Sequence, residues 1–449
     1  VRPPEDGVTT TPHPGARARA FRGRIAHCIA DPAAAGAEHA VRAHEDGVLV
    51  VRDGRVVECG EAGEVLARHP DADVVHLGRR LIVPGFIDTH VHYAQTDVIA
   101  SGGESLLGWL ERYTFPAEAE FADPAHAADV AGFFVDQLLR NGTTSALAFC
   151  TVHPQSVDAL FEQALARRMR LVAGKVMMDA NCPPFLRDTA QSSEADSLAL
   201  IRRWHGRDRL GYAITPRFAG TSTAAQLEAA ARLAADHPDV HLQSHVAENR
   251  DEVAWIAGLF PGHRSYLDVY DRFGLLRPRA VYAHCIWLDE QDRARMAATG
   301  TAAAFCPTSN TFLGSGLFDG AAARKAGMLV GLATDVGGGT SFSMLATMHE
   351  AYKVARLGGW RLGAWDALYL ATLGGARALA LDAEVGSFAP GREADFVVLD
   401  PEATPLLARR SARCDSLEEL LFALMVLGDD RAVAETWVLG ERAWRRPDS

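Results

Sequence analysis

Eight short apolar runs, separated by stretches of helical length and amphipathic pattern, constrain this chain more than any other feature. They read PGFIDTHVH (84–92), TTSALAFCTV (143–152), RLVAGKVMMD (170–179), LGYAITPRF (210–218), DVHLQSHVAE (239–248), AVYAHCIWL (280–288), TAAAFCPTSN (301–310) and LVGLATDVGGG (329–339). Strands that are apolar along nearly their whole length are buried on both faces, as in a parallel sheet covered by helices. Helix starts fall between them: Asp123 followed by Pro124, and Thr223 with Gln226 at capping-box spacing. Eight such units point to a closed (β/α)8 barrel, although an open doubly wound sheet has the same local pattern.

The flanks differ. Residues 47–59 hold two apolar runs around Asp53-Gly54, a hairpin signal, and 395–400 and 435–444 are again short strands, the latter with a turn at Gly440. The expected architecture is therefore a TIM-like barrel over 83–387 inserted in a small β-sandwich-type domain built from 21–82 and 388–449. Residues 1–20, rich in Pro and Arg, read as a disordered tail without the apolar middle of a secretory signal.

Composition removes whole classes of function. With 45 Lys and Arg against 57 Asp and Glu, the chain carries a formal charge of −12. That balance repels phosphates at long range and argues against nucleic-acid or anionic-membrane partners. A transmembrane helix needs about 20 consecutive apolar residues, and the sequence holds no such stretch. Seven dispersed cysteines form no CxxC pair and fit reduced thiols in a cytoplasm.

Chemistry concentrates at the ends of the candidate strands. His90 and His92 stand at i and i+2 of the first, so their side chains face the same way and can share one metal ion. Alone, HxH fits two loop histidines equally well. His245, His284 and Asp335 end the fifth, sixth and eighth strands, and parallel barrel strands deliver all these groups to the C-terminal face. Core packing gives no reason for polar groups to recur there. Three imidazoles and a carboxylate suit Zn(II), with Fe(II) or Mn(II) as alternatives. Such an ion lowers the pKa of bound water from 15.7 to about 7. Glu248, three residues after His245, is placed for acid–base work, though a helix N-terminus also favours an acid. The fourth strand has no lysine that could bridge two metals, so a single ion is expected; Lys175 reads as a solvated or structural residue. Trp109, Tyr113 and Phe115 suit core, interface or pocket, and Cys285 and Cys306 read as buried thiols. The HxE…PCxxC pattern of one class of zinc deaminases does not occur.

PGFIDTHVH, SHVAEN, AHC and ATDVGGG, in this order, resemble the amidohydrolase superfamily across about residues 45–445. HYAQ (92–95), LLGWLERYTFPAE (106–118), TPRF (215–218), FCPTSNTFLGSGLF (305–318), TDVGGGTSFSMLATMHEAYKV (334–354) and PGREADFVVLD (390–400) resemble its guanine deaminase family in particular. The resemblance implies hydrolysis of guanine to xanthine and ammonia in purine catabolism, by a cytoplasmic homodimer with one zinc, or iron(II), per subunit. It implies His90, His92, His245 and Asp335 as metal ligands, Glu248 as proton shuttle, and His284 as the group orienting the attacking water. Gln95 and Arg217 match residues that hold guanine, and Phe218 one that packs on its ring. An amide, a guanidinium and a phenyl face suit such a ring on chemical grounds as well. Other amidohydrolases would share the metal ligands while acting on a pterin, an oxidised purine, a cytosine-like ring or a triazine. A non-catalytic assembly subunit is the reading from another class.

Overall fold

The structure, a computed structural model, describes residues 17–102 and 105–447. The chain first lays down β1 (Arg19–Cys28), β2 (Val41–Arg52), β3 (Arg55–Glu61) and β4 (Asp73–Pro84). Asp53 and Gly54 join β2 to β3 with positive φ at both, the left-handed pair that a two-residue hairpin requires. β1 starts at Arg19, inside the segment read as a tail; residues 1–16 lie outside the described part.

Only Gly85 separates β4 from the first barrel strand. A side chain there would strike Thr144, 2.1 Å from where its Cβ would stand, so the crossing needs glycine. The barrel follows as β5 (Phe86–His92), β6 (Thr143–Phe149), β7 (Arg170–Gly174), a short β8 (Val176–Met177), β9 (Leu210–Pro216), β10 (His241–Val246), β11 (Ala280–His284), β12 (Ala302–Phe305) and β13 (Leu329–Leu332). Apart from β8, which pairs with β9 alone, these eight strands are hydrogen-bonded in sequence order and all parallel. The ring is drawn shut just beyond β13, where Asp335 donates to the His90 carbonyl (3.0 Å) and His92 to that of Val336 (2.7 Å). Ile87, Leu147, Val172, Ala213, Val281 and Ala304 fill the interior, and Ala376 and Leu379 join the same cluster.

The chain then returns to the first sheet with β14 (Phe396–Leu399), β15 (Val433–Val438) and β16 (Glu441–Arg445). The result is one seven-stranded sheet in the order β16-β15-β14-β4-β1-β2-β3, antiparallel except for β1 and β4. Phe21 of β1 and Trp437 of β15 are three strands apart in that order, about 14 Å in a flat sheet. Their rings nevertheless meet at 4.8 Å. The sheet therefore curls over a core of Phe21, Phe396 and Trp437, sandwich-like without being two separate sheets.

Each expected run contains a barrel strand, but the strands stop short. Run 301–310 becomes helical from Pro307, and Asp335 lies three residues past β13 instead of ending it. Asp123 caps its helix as expected, with Pro124 at the first position. Thr223 accepts from the Gln226 amide, but the Gln226 side chain turns to Ser193 and Ser222, leaving half a capping box.

Candidate active site

At the C-terminal face, β5, β10, β11 and the loop after β13 converge on one point. Nε2 of His92 lies 3.1 Å from Nε2 of both His90 and His245. Oδ1 of Asp335 stands 3.1 Å from the His90 nitrogen and 3.5 Å from that of His92. Four ligand atoms about 2.0–2.1 Å from a tetrahedral zinc stand roughly 3.4 Å apart, so these four spacings suit a shared ion. The donors fall into two close groups that meet at His90, one with His92 and His245, the other with His284 and Asp335. Lone pairs on neutral imidazoles also repel one another at 3.1 Å unless a cation lies among them.

One imidazole, that of His245, is fixed in the ligand form, while Nδ1 of His92 is buried without a hydrogen-bond partner among the described residues. Nδ1 of His245 donates to the Arg217 carbonyl at 2.6 Å, so its proton sits there and Nε2 keeps its lone pair. Burial, then the neighbouring imidazoles, hold His92 and His245 well below the usual histidine range. Burial also lowers His90, opposed by Asp335, while the positive character around Asp335 outweighs burial and keeps its carboxyl low. Behind them, the wholly buried Asp88 accepts from the amides of His90 and Thr334 and from the Thr334 hydroxyl, tying β5 to the loop that carries Asp335.

His284 stands beside this cluster. Its Nδ1 donates to Oδ1 of Asn310 (2.9 Å), and its Nε2 faces Glu248 (3.3 Å) and Asp335 (3.8 Å). Burial opposes a charge here, but the two carboxylates outweigh it and raise the imidazole's pKa. Burial pushes the Glu248 carboxyl up to about 7, against the pull of His284. Its Oε1 accepts from the Ser315 hydroxyl at 3.1 Å. The helix N-terminal acid is Glu252, which accepts from the amides of Glu248 and Asn249. Ala247, His284 and Asp335 all take positive φ, so the chain breaks from strand geometry where it presents these groups.

Gln95, Arg217, Phe218, Glu248 and His284 line one cavity with His92, His245 and Asp335. Its apolar wall comes from Leu106, Trp109, Leu110 and Leu313. Trp109 thus belongs to the pocket, whereas Phe115 lies under the Arg217 guanidinium (5.3 Å) and Tyr113 packs on the surrounding cluster. Glu118, which the sequence reading missed, binds Arg217 and Gln95 from behind. Lys175 is fully buried against Asp188, a structural pair. Burial raises both the Cys285 and Cys306 thiols, which keeps them protonated and inert.

Comparison with known proteins agrees with this geometry. Residues 81–443 match the amidohydrolase family, and a short segment, 47–72, matches an imidazolonepropionase-like composite domain of bacteria. The guanine deaminase of Escherichia coli K12 is 51% identical over 408 residues, 91% of this chain and 93% of that protein. A solved E. coli guanine deaminase superposes with a TM-score of 0.93 at 49% identity, covering 96% of this chain and 100% of the other. A guanine deaminase from C. acetobutylicum, solved with guanine in its active site, gives 0.87 at 27% identity over 95% of this chain and 100% of its own. This chain belongs to the amidohydrolase family and, within it, to the guanine deaminases.

Proposed function

We propose that the chain hydrolyses guanine to xanthine and ammonia with His90, His92, His245 and Asp335 holding one ion, zinc or iron(II), per subunit. The observation that carries this reading is a single cavity where His92, His245 and Asp335 of the donor cluster meet a carboxyl poised near neutrality and the guanidinium–amide pair. When bound, the ion supplies a Lewis-acid centre that makes water nucleophilic at neutral pH.

The protein's own groups then divide the work. Phe218 packs on the purine face, while Arg217 and Gln95 hold the oxo and ring-nitrogen edge, which turns the amino-bearing carbon toward the attacking water. His284 orients that water, and Asp335, ionised at the outset, accepts its proton. Glu248, in its protonated form, gives its proton to a ring nitrogen as the carbon becomes tetrahedral. Collapse passes the Asp335 proton to the amine, which leaves as ammonia. Glu248 recovers a proton from the hydroxyl as the new carbonyl forms, so both carboxyls end as they began. The reading extends to a homodimer in the cytoplasm, carried by family resemblance alone.

Metal-loaded protein is expected to consume guanine with equimolar xanthine and ammonia, and to stop on chelation. Failure to turn over guanine with metal verified as bound would overturn the reading and move the search to other amino-substituted heterocycles.

A further inference from the structure

Arg217 carries a charge into an almost sealed place, with 3% side-chain exposure. Its Nη1 donates to both oxygens of Glu118, at 2.9 Å to Oε1 and 2.7 Å to Oε2. The guanidinium makes no other hydrogen bond among the described residues, while Arg217 itself lines the cavity. The N–H donors of Nε and Nη2 are thus left for a ligand. Glu118 is fully buried and does not line the cavity. Its Oε1 also accepts from Nε2 of Gln95 (3.2 Å), and Oε1 of Gln95 accepts from the Gly337 amide (3.2 Å). The amide cannot turn over without setting its oxygen against the carboxylate, so one face of Gln95 is fixed. Phe115, three residues before Glu118 in the same short helix, closes over the guanidinium.

A lone guanidinium in a low-dielectric cavity draws an anion. Paired with a buried carboxylate, it offers directional donors with no net charge, which suits a neutral oxo group. We propose that Glu118 is a positioning and specificity residue: it neutralises and aims Arg217 and fixes Gln95, so that the cavity accepts a neutral oxopurine and rejects an anionic one. This rests on the reading of the cavity as a guanine site.

Two purines of nearly equal shape, purine-6-carboxamide and purine-6-carboxylate, separate charge from fit when titrated as competitive inhibitors of the metal-loaded enzyme. The wild type is expected to bind the neutral amide about tenfold or more tightly than the anion. E118Q should raise KM for guanine by about tenfold or more, with a much smaller change in kcat, and should tighten binding of the carboxylate. E118D, which keeps the charge, should keep the wild-type preference. Equal binding of the two inhibitors by the wild type, or equal loss of both in E118Q, overturns the proposal; the wild-type comparison stands even if E118Q does not fold. Absent guanine turnover by the wild type instead overturns the guanine reading, and direct binding of the inhibitor pair, which needs no turnover, tells the two failures apart.

Discussion

Glu248 lies where burial brings a carboxyl's proton exchange to about pH 7, facing His284 and capped by Ser315. Glu248→Gln keeps the shape and removes the exchange. It is expected to retain full metal content by elemental analysis while turnover falls about 10²–10⁴-fold. Near-wild-type turnover would remove Glu248 from the mechanism. This residue was legible in the sequence because it follows His245 at a strand end, as were His90 and His92 from strand alternation. Glu118 was not. Its importance arises from a single helical turn, Phe115–Ala119, that reaches Arg217 nearly a hundred residues later in the chain. No local period marks such a residue; only its acidity at the end of an aromatic stretch hinted at it.

At the scale of elements, all eight barrel strands were legible, since full burial writes itself as an unbroken apolar run. Their ends were not. Apolar character continues into the site-bearing loops, because the pocket is buried too, while the backbone there leaves strand geometry at Ala247, His284 and Asp335. Two buried histidines on strands make a separate statement about pH. Nε2 of His241, at the start of β10, donates to the Leu379 carbonyl (2.7 Å), and burial lowers its pKa from 6.5 to about 4. Nδ1 of His27 accepts from the Phe388 amide (3.3 Å), and burial, then the charges of His44 and Arg42, lower it to about 3. Both are neutral when folded, whereas the unfolded chain takes up protons below about pH 6.5. Their contribution to stability is therefore complete above that pH. It drains as pH falls toward 4 and then 3, by about 1.4 kcal/mol per pH unit for each group. The urea midpoint should drop between pH 7 and 4.5, and less steeply in His241→Gln. An identical slope in the variant would exclude His241 as a source.

At the scale of the whole molecule, one buried charge cluster ties the first sheet to the barrel, beside the apolar core that the two share. Arg209, just before β9, donates to Glu393 (2.6 Å) and Asp395 (2.5 Å) ahead of β14, and Arg170 of β7 joins at Glu393 (2.5 Å). Removing one member of a buried ion pair leaves its partners uncompensated and costs about 3–5 kcal/mol. Arg209→Met is expected to lower the denaturation midpoint accordingly, and a change below about 1 kcal/mol would show the cluster to be incidental. The curled sheet has a further consequence, for synthesis. A ribosome releases β1 to β4 first, yet β4 gains its neighbour β14 only after more than 300 further residues have emerged. Until then Phe21 lacks Phe396 and Trp437, and β4 offers an open edge to any passing strand. The stretch from β1 to β4 thus waits for partners made more than 300 residues later, and on the nascent chain this wait exposes it to aggregation.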